Sequence, residues 1–241
     1  MKIDIAMSAT LRPALLTRAL TSLKNNLLFD GSMRLVLDIA EVGDATIKRE
    51  KILQDATAVF GADNVLYRMR KNSSLPEVVR WGWQTAEGAY IIQWKDDWIL
   101  RKECDLGRIL KVMRKDRTIG QVFLDRRGDT TFTQVGPDDL YERTHLDFVT
   151  WKKEKKVSSA PSVLRRAYIT EVAPLIEGDV SLYALSYLPQ AQKVLSRWKK
   201  LIYMGYNNGG FVDNIGRDWI MRQNYQWTNR IDRGVLWLPK P

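Results

Sequence analysis

Strand and helix signals alternate along the first hundred residues of this 241-residue chain. Four short apolar runs predict buried strands, at Ile3–Met7, Leu35–Ile39, Val65–Tyr67 and Ala89–Trp94. The segments between them have apolar residues at helical spacing and predict three helices, which begin near Pro13, Ile52 and Pro76. Strands that alternate with helices form βαβ units, because a parallel pair of strands needs a crossover connection. We therefore predict an α/β protein with a mainly parallel sheet flanked by helices.

The second half of the chain is less regular. Local patterns predict a helix at 105–115, a strand at Ile119–Leu124, a broadly helical segment at Ser181–Lys200, a strand at Leu201–Met204 and a short helix at Gly216–Tyr225. Pro189 must kink or divide the long helical segment, since proline has no N–H to donate within a helix. No internal repeat or linker interrupts the sequence, so we predict a single domain over 1–241.

The chain has a formal net charge of +10, from 38 basic and 28 acidic residues. Such a charge attracts nucleic acid, anionic lipid or phosphorylated substrates through long-range fields. The basic residues of the second half cluster at 152–156, at Arg165–Arg166 and at 197–200. Although a charge run is most often a solvated face, the three clusters together suggest an anionic acceptor.

The counts of cysteine and histidine exclude several kinds of site. Cys104 is the only cysteine, which excludes an intramolecular disulfide and a zinc site built from cysteines. His145 is the only histidine, which excludes a polyhistidine metal site. No run reaches the roughly 18 apolar residues of a membrane span, and the first residues lack a signal-peptide pattern. We therefore expect a cytoplasmic protein.

An acidic pair, Asp96 and Asp97, follows the fourth predicted strand. Adjacent carboxylates at the end of a buried strand repel each other and resist desolvation. A divalent cation removes both costs, because hard cations bind carboxylate oxygens. Ligands of parallel sheets bind at the carboxyl ends of the strands, where Ser8–Arg12 and the turn after Asp38 are also expected. The sequence therefore predicts a site for a metal ion and a diphosphate at this edge.

Two segments resemble landmarks of the GT-A fold glycosyltransferases, especially those of family 2. The first, Ile3–Pro13 followed by Leu15–Leu20, combines an apolar strand, a polar turn that ends in Arg-Pro, and a helix rich in leucine, arginine and alanine. The second, Pro76–Trp98, combines a helix that ends in Ala-x-Gly, an apolar strand and an acidic motif. The resemblance implies a GT-A type, Rossmann-like sheet, with residues 1–100 as the nucleotide-sugar half and residues 101–241 as a less regular acceptor half.

The same resemblance implies an activity and its cofactors. A sugar would pass from a nucleoside diphosphate sugar, here expected to be a UDP-sugar, to a hydroxyl group, with the help of Mn²⁺ or Mg²⁺. Asp97 would be the principal metal ligand, and Asp96 would touch the metal or the ribose. The other implied donor-site residues are Asp38 near the base or ribose, Thr10 and Arg12 in the turn that lines the nucleotide pocket, and Arg80 near the diphosphate.

The chain departs from the family pattern at several positions. Lys95 replaces a usual acid, Leu11 a usual asparagine, and Val79-Arg80 a usual Arg-Asn pair. These differences leave the donor sugar, its base and the metal stoichiometry open.

Two segments of the second half match the family more loosely. Glu177 and Asp179 resemble the acidic segment that supplies the catalytic base of inverting enzymes, and Asp179 is the preferred candidate. Residues Phe211–Trp219 resemble a segment of small bacterial and phage glycosyltransferases. In this segment Asp213 is a candidate third metal ligand and Arg217 a candidate phosphate ligand. Whether the enzyme inverts or retains configuration stays open.

No motif identifies the acceptor. Basic charge interleaved with nine tryptophans favours the hypothesis that the acceptor is DNA with a hydroxylated pyrimidine, as in phage DNA. The modified base would have to flip out of a duplex to react. A cell-envelope polymer fits the charge nearly as well. Two other classes stay open: a nucleotidyltransferase, which also has acids after a strand, and a non-catalytic nucleic-acid-binding protein. The sequence makes no prediction of the oligomeric state.

Overall fold

The computed structural model describes residues 1–71, 74–126, 141–145, 147–151, 156–177, 181–204, 210–216, 225–230 and 234–239. In chain order the strands are β1 (Lys2–Leu11), β2 (Leu27–Leu28), β3 (Ser32–Gly43), β4 (Val65–Arg70), β5 (Tyr90–Lys95), β6 (Trp98–Leu100), β7 (Cys104–Asp105), β8 (Ile119–Leu124), β9 (Tyr141–His145), β10 (Phe148–Trp151), β11 (Ser162–Arg165), β12 (Lys199–Tyr203), β13 (Val212–Asn214), β14 (Tyr225–Arg230) and β15 (Gly234–Pro239). The α-helices are α1 (Pro13–Asn26), α2 (Arg49–Phe60), α3 (Leu75–Thr85), α4 (Leu106–Lys115), α5 (Arg166–Val172), α6 (Leu182–Leu185) and α7 (Pro189–Leu195). Short 3₁₀ helices cover Ala62–Asn64 and Ala173–Leu175.

Nine of these strands form one mixed sheet, in the order β4-β3-β1-β5-β11-β8-β12-β10-β9. The first four strands are mutually parallel, and β8 is parallel to β12. The pairings that involve β11, β10 and β9 are antiparallel. The four parallel strands at one side are those that the sequence predicts. The predicted α/β class, with a mostly parallel central sheet between helices, is confirmed.

Side chains of β1 alternate between the two faces of the sheet, which explains why helices cover both. Ile3, Ile5 and Met7 lie on one face and belong to a core cluster that includes Leu16 and Leu20 of α1. Pro13 opens this helix at a position where its missing N–H costs nothing. The leucines at helical spacing therefore form the apolar side that the sequence predicts.

The opposite face of β1 is covered by α3. Ala6 belongs to a second core cluster with Trp83, and a β-carbon on Gly82 would lie 3.2 Å from that of Ala6. This close approach of helix and strand favours small residues at both positions. Ser74 caps the helix by accepting a hydrogen bond from Glu77 N–H. The helix follows β4, so its N-terminus lies at the carboxyl end of the parallel strands.

Two adjacent arginines attach helix ends to β11. Arg165 donates to main-chain carbonyl oxygens around the end of α4, and Arg166 to those around the end of α3. The acceptors are Met113, Asp116 and Ile119 for the first arginine and Trp83, Ala86 and Gly88 for the second. The last carbonyls of a helix lack partners within the helix. The two guanidinium groups supply those partners and position both helices on the sheet.

Two parallel strands extend beyond their predicted ends. β1 continues to Leu11 and β3 to Gly43, because polar residues near their ends still have main-chain partners across the pair. Thr10 therefore lies in a strand rather than in a turn, and Arg12 lies directly before α1. Asp38 lies within β3 rather than at its end. Both predicted strand ends were wrong.

In the second half the structure confirms the strand at Ile119–Leu124 and the division of the later helical segment at Pro189. The helix predicted as far as Lys200 was wrong at its end. α7 stops at Leu195 and β12 begins at Lys199, since pairing with β8 satisfies the main chain there. Neither β11 nor α5 was predicted.

Some sequence predictions concern residues that lie partly outside the described ranges. Most of the helix predicted at Gly216–Tyr225 lies outside them, and Tyr225 itself begins β14. Within them, no helix combines the length and the apolar character that crossing a membrane requires. The single domain over 1–241 stays a prediction.

Candidate active site

The acidic pair lies in the tight turn between β5 and β6, at the carboxyl end of a central parallel strand. Two main-chain hydrogen bonds hold this turn. Asp96 N–H donates to Ser8 O over 3.0 Å, and Ile215 N–H donates to Asp97 O over 2.8 Å. The turn is therefore attached to β1 on one side and to the segment after β13 on the other. It lies where ligands of parallel sheets bind.

Both carboxylate oxygens of Asp96 are bound by groups of the chain itself. Oδ2 accepts hydrogen bonds from Thr10 N–H and from the Thr10 hydroxyl, both over 2.9 Å. Oδ1 accepts from Arg12 Nη2 over 2.6 Å, and Arg12 Nε donates to Thr10 Oγ1 over 2.6 Å. The side chains of Arg12 and Asp96 are 6% and 3% exposed, so they form a buried ion pair. This network fixes the position of the turn.

Asp97 differs from Asp96 because one of its oxygens has no hydrogen-bond partner among the described residues. That oxygen is the buried Oδ1, while Oδ2 lies 3.6 Å from Arg12 Nη2. Burial and repulsion by Asp96 raise the pKa of Asp97, against the attraction of Arg12 and Lys95. An unsatisfied buried carboxylate oxygen is costly. The site therefore favours a ligand that binds this atom.

The main chain at Gly216 covers the Asp97 carboxylate. A β-carbon at this position would overlap the Asp97 side chain, so another residue would have to displace one of the two. Gly216 N–H donates to Asn214 Oδ1 over 2.8 Å, which holds the segment. Glycine is thus required here by close approach rather than by backbone conformation.

Lys95 contributes a cation beside the acidic pair. Its Nζ lies 4.8 Å from the centroid of the Trp98 ring, which is a cation–π distance. Burial lowers the pKa of Lys95, although Asp97 and Asp96 act in the opposite direction. The turn therefore combines two carboxylates with an ammonium group at the position where the resemblance leads one to expect a further acid.

The residues at the turn fit a metal ion that arrives with phosphate ligands of its own. Among the described residues, no group of three or more histidine, cysteine or acidic side chains could form a protein cage for a metal. Mg²⁺ in such sites keeps several waters and binds through one or two carboxylates plus substrate phosphates. Oδ1 of Asp97 matches that donor set. The carboxylate of Asp213, the predicted third ligand, forms an ion pair with Arg101.

A second charged cluster surrounds Asp38, two strands away from β5. The buried Asp38 carboxylate pairs with Arg68 and with Arg70, whose Nε lies 3.3 Å from Oδ2. Both arginines also pair with Glu77 of α3. The guanidinium of Arg68 lies 4.3 Å from the centroid of the Trp81 ring. The surroundings of Asp38 are therefore two arginines and an indole.

Strand register joins the two clusters. Arg68, Asp38, Ser8 and Lys95 are paired across β4, β3, β1 and β5 in one row. Residues paired in this way point to the same face of the sheet, and the row crosses three gaps of roughly 4.8 Å, so it is about 14 Å long. A ligand of nucleotide size that lay along this row would reach both clusters.

The remaining predicted site residues are not brought into these clusters. Arg80 lies on α3, is partly buried, and forms no ion pair or hydrogen bond with the residues that the structure describes. Glu177 is exposed, after the 3₁₀ helix Ala173–Leu175. Asp179 and Arg217 lie outside the described residues. The predicted residues that the structure does bring together are Thr10, Arg12, Asp96 and Asp97.

The residues of the basic clusters that the structure describes form hydrogen bonds or ion pairs within the protein. Arg165–Arg166 bind helix carbonyls, and Lys200 is buried with its Nζ donating to a main-chain carbonyl. Arg197 and Lys199 each pair with an acidic side chain, over 2.9 Å and 3.0 Å. Residues 152–155 lie outside the described ranges. The described clusters therefore add less to an anion-binding face than the sequence suggests.

Sequence reasoning missed Arg68, Arg70 and Gly216. The two arginines are two positions apart in β4, and this spacing places both on one face of the strand. That pattern could have indicated a partner for Asp38. No local signal indicates that Gly216 covers Asp97, since the contact joins segments far apart in sequence.

Solved structures of glycosyltransferases share this fold. TarS from S. aureus aligns with a TM-score of 0.58 at 11% identity, over 89% of this chain and 36% of that chain. TarS 1–349 in complex with UDP-GlcNAc gives a TM-score of 0.56 at 10% identity, over 88% and 58%. The mannosyltransferase PcManGT from Pyrobaculum calidifontis, in complex with GDP-Man and Mn²⁺, gives a TM-score of 0.60 at 11% identity, over 88% and 56%.

These likenesses establish the fold of the chain and leave its activity to be proposed. The chain spans 36% of the length of TarS and 64% of TarS 1–349. No protein-family model matches the sequence, and no curated protein matches it. The architecture is thus a GT-A-like glycosyltransferase fold, as the resemblance implies.

Proposed function

We propose that this protein is a metal-dependent glycosyltransferase that moves a sugar from a nucleoside diphosphate sugar to a hydroxyl group. The observation that supports it most is the buried Oδ1 of Asp97, which has no hydrogen-bond partner among the described residues and lies at the carboxyl end of β5. Structures with this fold have been solved with UDP-GlcNAc and with GDP-Man and Mn²⁺, which supports a nucleotide-sugar donor and a divalent metal in general.

The proposed donor lies along the row from Arg68 to Lys95. Its base and ribose would contact the cluster around Asp38, where the Trp81 indole offers an aromatic surface. Its diphosphate would then reach the turn at Asp97. The charged surroundings of Asp38 favour a polar base edge at this end, and a UDP-sugar is the proposed donor. Arg80, without an ion pair in the described residues, is the proposed further diphosphate ligand.

The two acids of the turn would have different roles, metal binding for Asp97 and positioning for Asp96. A metal ion bound at Asp97 Oδ1 would neutralise the departing diphosphate as a Lewis acid. Thr10 and Arg12 hold Asp96, so the turn presents Asp97 in a fixed position before the donor binds. A preorganised group of this kind costs no reorganisation at the moment of reaction. Asp96 is therefore proposed to act mainly by positioning.

The acceptor side is proposed from sequence resemblance. Asp179 would remove the proton from the acceptor hydroxyl if the reaction inverts configuration, with Glu177 as the alternative base. Arg217 would bind phosphate. Asp213 would become a metal ligand only after its carboxylate leaves Arg101. A retaining reaction would need no such base.

The proposed acceptor is DNA with a hydroxylated pyrimidine, and the alternative is a cell-envelope polymer. The net charge of +10 supports an anionic acceptor. Arg165–Arg166, Arg197 and Lys199 bind groups within the protein. These basic residues therefore give less support to an anionic acceptor than the net charge does. Glycosylation assays with DNA that contains hydroxymethylcytosine, and with a polyol phosphate polymer, distinguish the two acceptors.

The donor proposal is tested by thermal unfolding with UDP and GDP, each with and without Mn²⁺. A ligand that binds the folded state raises Tm. We expect a Tm increase that requires both the nucleotide and Mn²⁺ and that Asp97→Asn abolishes. The exposed Asp30→Asn serves as a control and should respond like the wild type.

Two results would contradict this proposal. One is the absence of any Mn²⁺-dependent shift with either nucleotide. The other is an equal shift in Asp97→Asn, which would remove the metal from the acidic turn. If the protein bound DNA with the same affinity before and after Asp97→Asn and no sugar were transferred, the non-catalytic nucleic-acid-binding alternative would be favoured.

A further inference from the structure

The charges around the acidic turn are balanced without a metal ion. Lys95 interacts electrostatically with Asp97, Asp96, Arg126 and Arg12. Arg12 pairs with Asp96, and the ammonium of Lys95 opposes the carboxylate of Asp97, so the charges of these four groups balance. A divalent cation that approached Asp97 alone would enter a region with no excess of negative charge. Its attraction to Asp97 Oδ1 would be opposed by the nearby ammonium and guanidinium groups.

The ammonium of Lys95 also lacks acceptors among the described residues. Its Nζ forms neither a hydrogen bond nor a contact ion pair with them, and it lies against the face of the Trp98 ring. An ammonium group has three donors, and Lys95 is only partly buried, so these donors are left to water or to a ligand. By contrast, Arg12 is bound to Asp96 and Thr10 and is not available in the same way. Lys95 is therefore the cation of the turn best suited to an anionic ligand.

We infer that Lys95 makes binding of a metal ion at Asp97 conditional on the diphosphate of the donor. This inference rests on the proposed function and adds an order of binding to it. The diphosphate supplies the negative charge that the metal needs and the acceptor oxygens that Lys95 lacks. Because coupling between two ligands is reciprocal, the metal must then strengthen nucleotide binding by the same factor. Lys95 thus makes the acidic turn a site that receives the metal ion together with the nucleotide.

Two variants separate the charge of Lys95 from its packing. Lys95→Met keeps an unbranched side chain against Trp98 and removes the charge. Lys95→Arg keeps the charge with a different head group. Far-UV circular dichroism and thermal unfolding without ligands establish that each variant is folded.

Binding of Mn²⁺ is measured directly from the free-ion signal in electron paramagnetic resonance, with and without UDP and, in parallel, GDP. For the wild type we expect weak binding of Mn²⁺ alone and a Kd lower by about tenfold or more with the nucleotide that binds. Lys95→Met should bind Mn²⁺ alone about tenfold more tightly and lose most of the enhancement. Lys95→Arg should keep the enhancement of the wild type.

Equal affinity of the wild type for Mn²⁺ with and without nucleotide would overturn the inference, and so would an unchanged affinity of Lys95→Met for Mn²⁺ alone. Asp97→Asn separates these results from a failure of the proposed function. If Asp97→Asn abolishes Mn²⁺ binding while Lys95→Met has no effect, only the inference fails. If Asp97→Asn and the wild type bind Mn²⁺ with nucleotide equally, the proposed metal site fails and the inference with it.

Discussion

Arg12 Nη2 lies 2.6 Å from Asp96 Oδ1, although the two residues are 84 positions apart in the sequence. This buried pair gives the two adjacent acids different roles. Asp96 is held by Arg12 and Thr10, whereas Oδ1 of Asp97 has no partner in the part of the chain that the structure describes. One acid therefore stabilises the turn, and the other is available to a ligand.

Neutralising each acid should change stability in opposite directions. Asp96→Asn leaves a buried guanidinium without its counter-charge, so we expect the free energy of unfolding to fall by about 3 kcal/mol. Asp97→Asn removes a carboxylate whose charged form is disfavoured by burial and by Asp96, so we expect the free energy of unfolding to rise rather than fall. Urea unfolding at neutral pH measures both. Equal losses in the two variants would contradict the division of roles.

Gly216→Ala should damage the donor site more than the fold. The added β-carbon would overlap the Asp97 side chain, so the carboxylate or the covering segment must shift. We expect the Mn²⁺-dependent Tm increase with nucleotide to be lost, while Tm without ligands falls by only a few degrees, on the order of 1 kcal/mol.

Gly107→Ala is the matched control for this substitution. Its β-carbon would also face an aspartate, at 3.2 Å from Asp105 Oδ1, but in the first turn of α4 and away from the turn at Asp97. We expect the nucleotide response to stay intact. An intact response in Gly216→Ala as well would show that the Asp97 carboxylate tolerates displacement.

Arg166→Lys should destabilise the protein by about 1–3 kcal/mol, because a lysine cannot reproduce a planar fork that reaches three carbonyl oxygens. Arg197→Lys is the control with the same change of head group. Arg197 is 59% exposed and pairs only with Glu171 among the described residues, so we expect less than about 0.5 kcal/mol. Urea unfolding of both variants tests the comparison. Similar values would remove the structural role assigned to Arg166.

Asp4 should contribute to acid sensitivity. Burial alone would raise the pKa of Asp4, but hydrogen bonds from Arg34, Glu87 N–H and Gly88 N–H outweigh it and lower the pKa below 3.8. A lowered pKa contributes stability that is present above the unfolded value and is lost as pH falls through the folded value. We therefore expect the free energy of unfolding to decline as pH falls below about 4, and this part of the decline to disappear in Asp4→Asn.

The measurement is urea unfolding from pH 6 to pH 2.5, at fixed ionic strength. Asp4→Asn should also be less stable at pH 6 by about 2–4 kcal/mol, since Asp4 is fully buried. The exposed Asp30→Asn should follow the wild-type curve. An unchanged acid dependence in Asp4→Asn would show that its carboxylate is not the group that titrates.

Local sequence patterns were sufficient for features that depend on neighbouring residues. The strand at Ile119–Leu124 was predicted from local patterns alone, and the position of Asp97 after β5 followed from the short apolar run that precedes it. The resemblance of the first hundred residues anticipated the fold. These features arise from periodicity and from the rule that parallel sheets bind ligands at their carboxyl ends.

Only the tertiary structure decided what each charged side chain does. Whether Arg165–Arg166 face solvent or bind helix carbonyls depends on where α3 and α4 end in space, and a charge run alone does not specify this. Likewise, Arg12 was predicted to line a pocket but binds Asp96, because β1 and β5 are neighbours in the sheet. The energy of a charge is set by its partners and its burial, which are long-range properties. The sequence by itself determined which chemical groups the site contains, and the packing of distant strands determined which of them are left for a ligand.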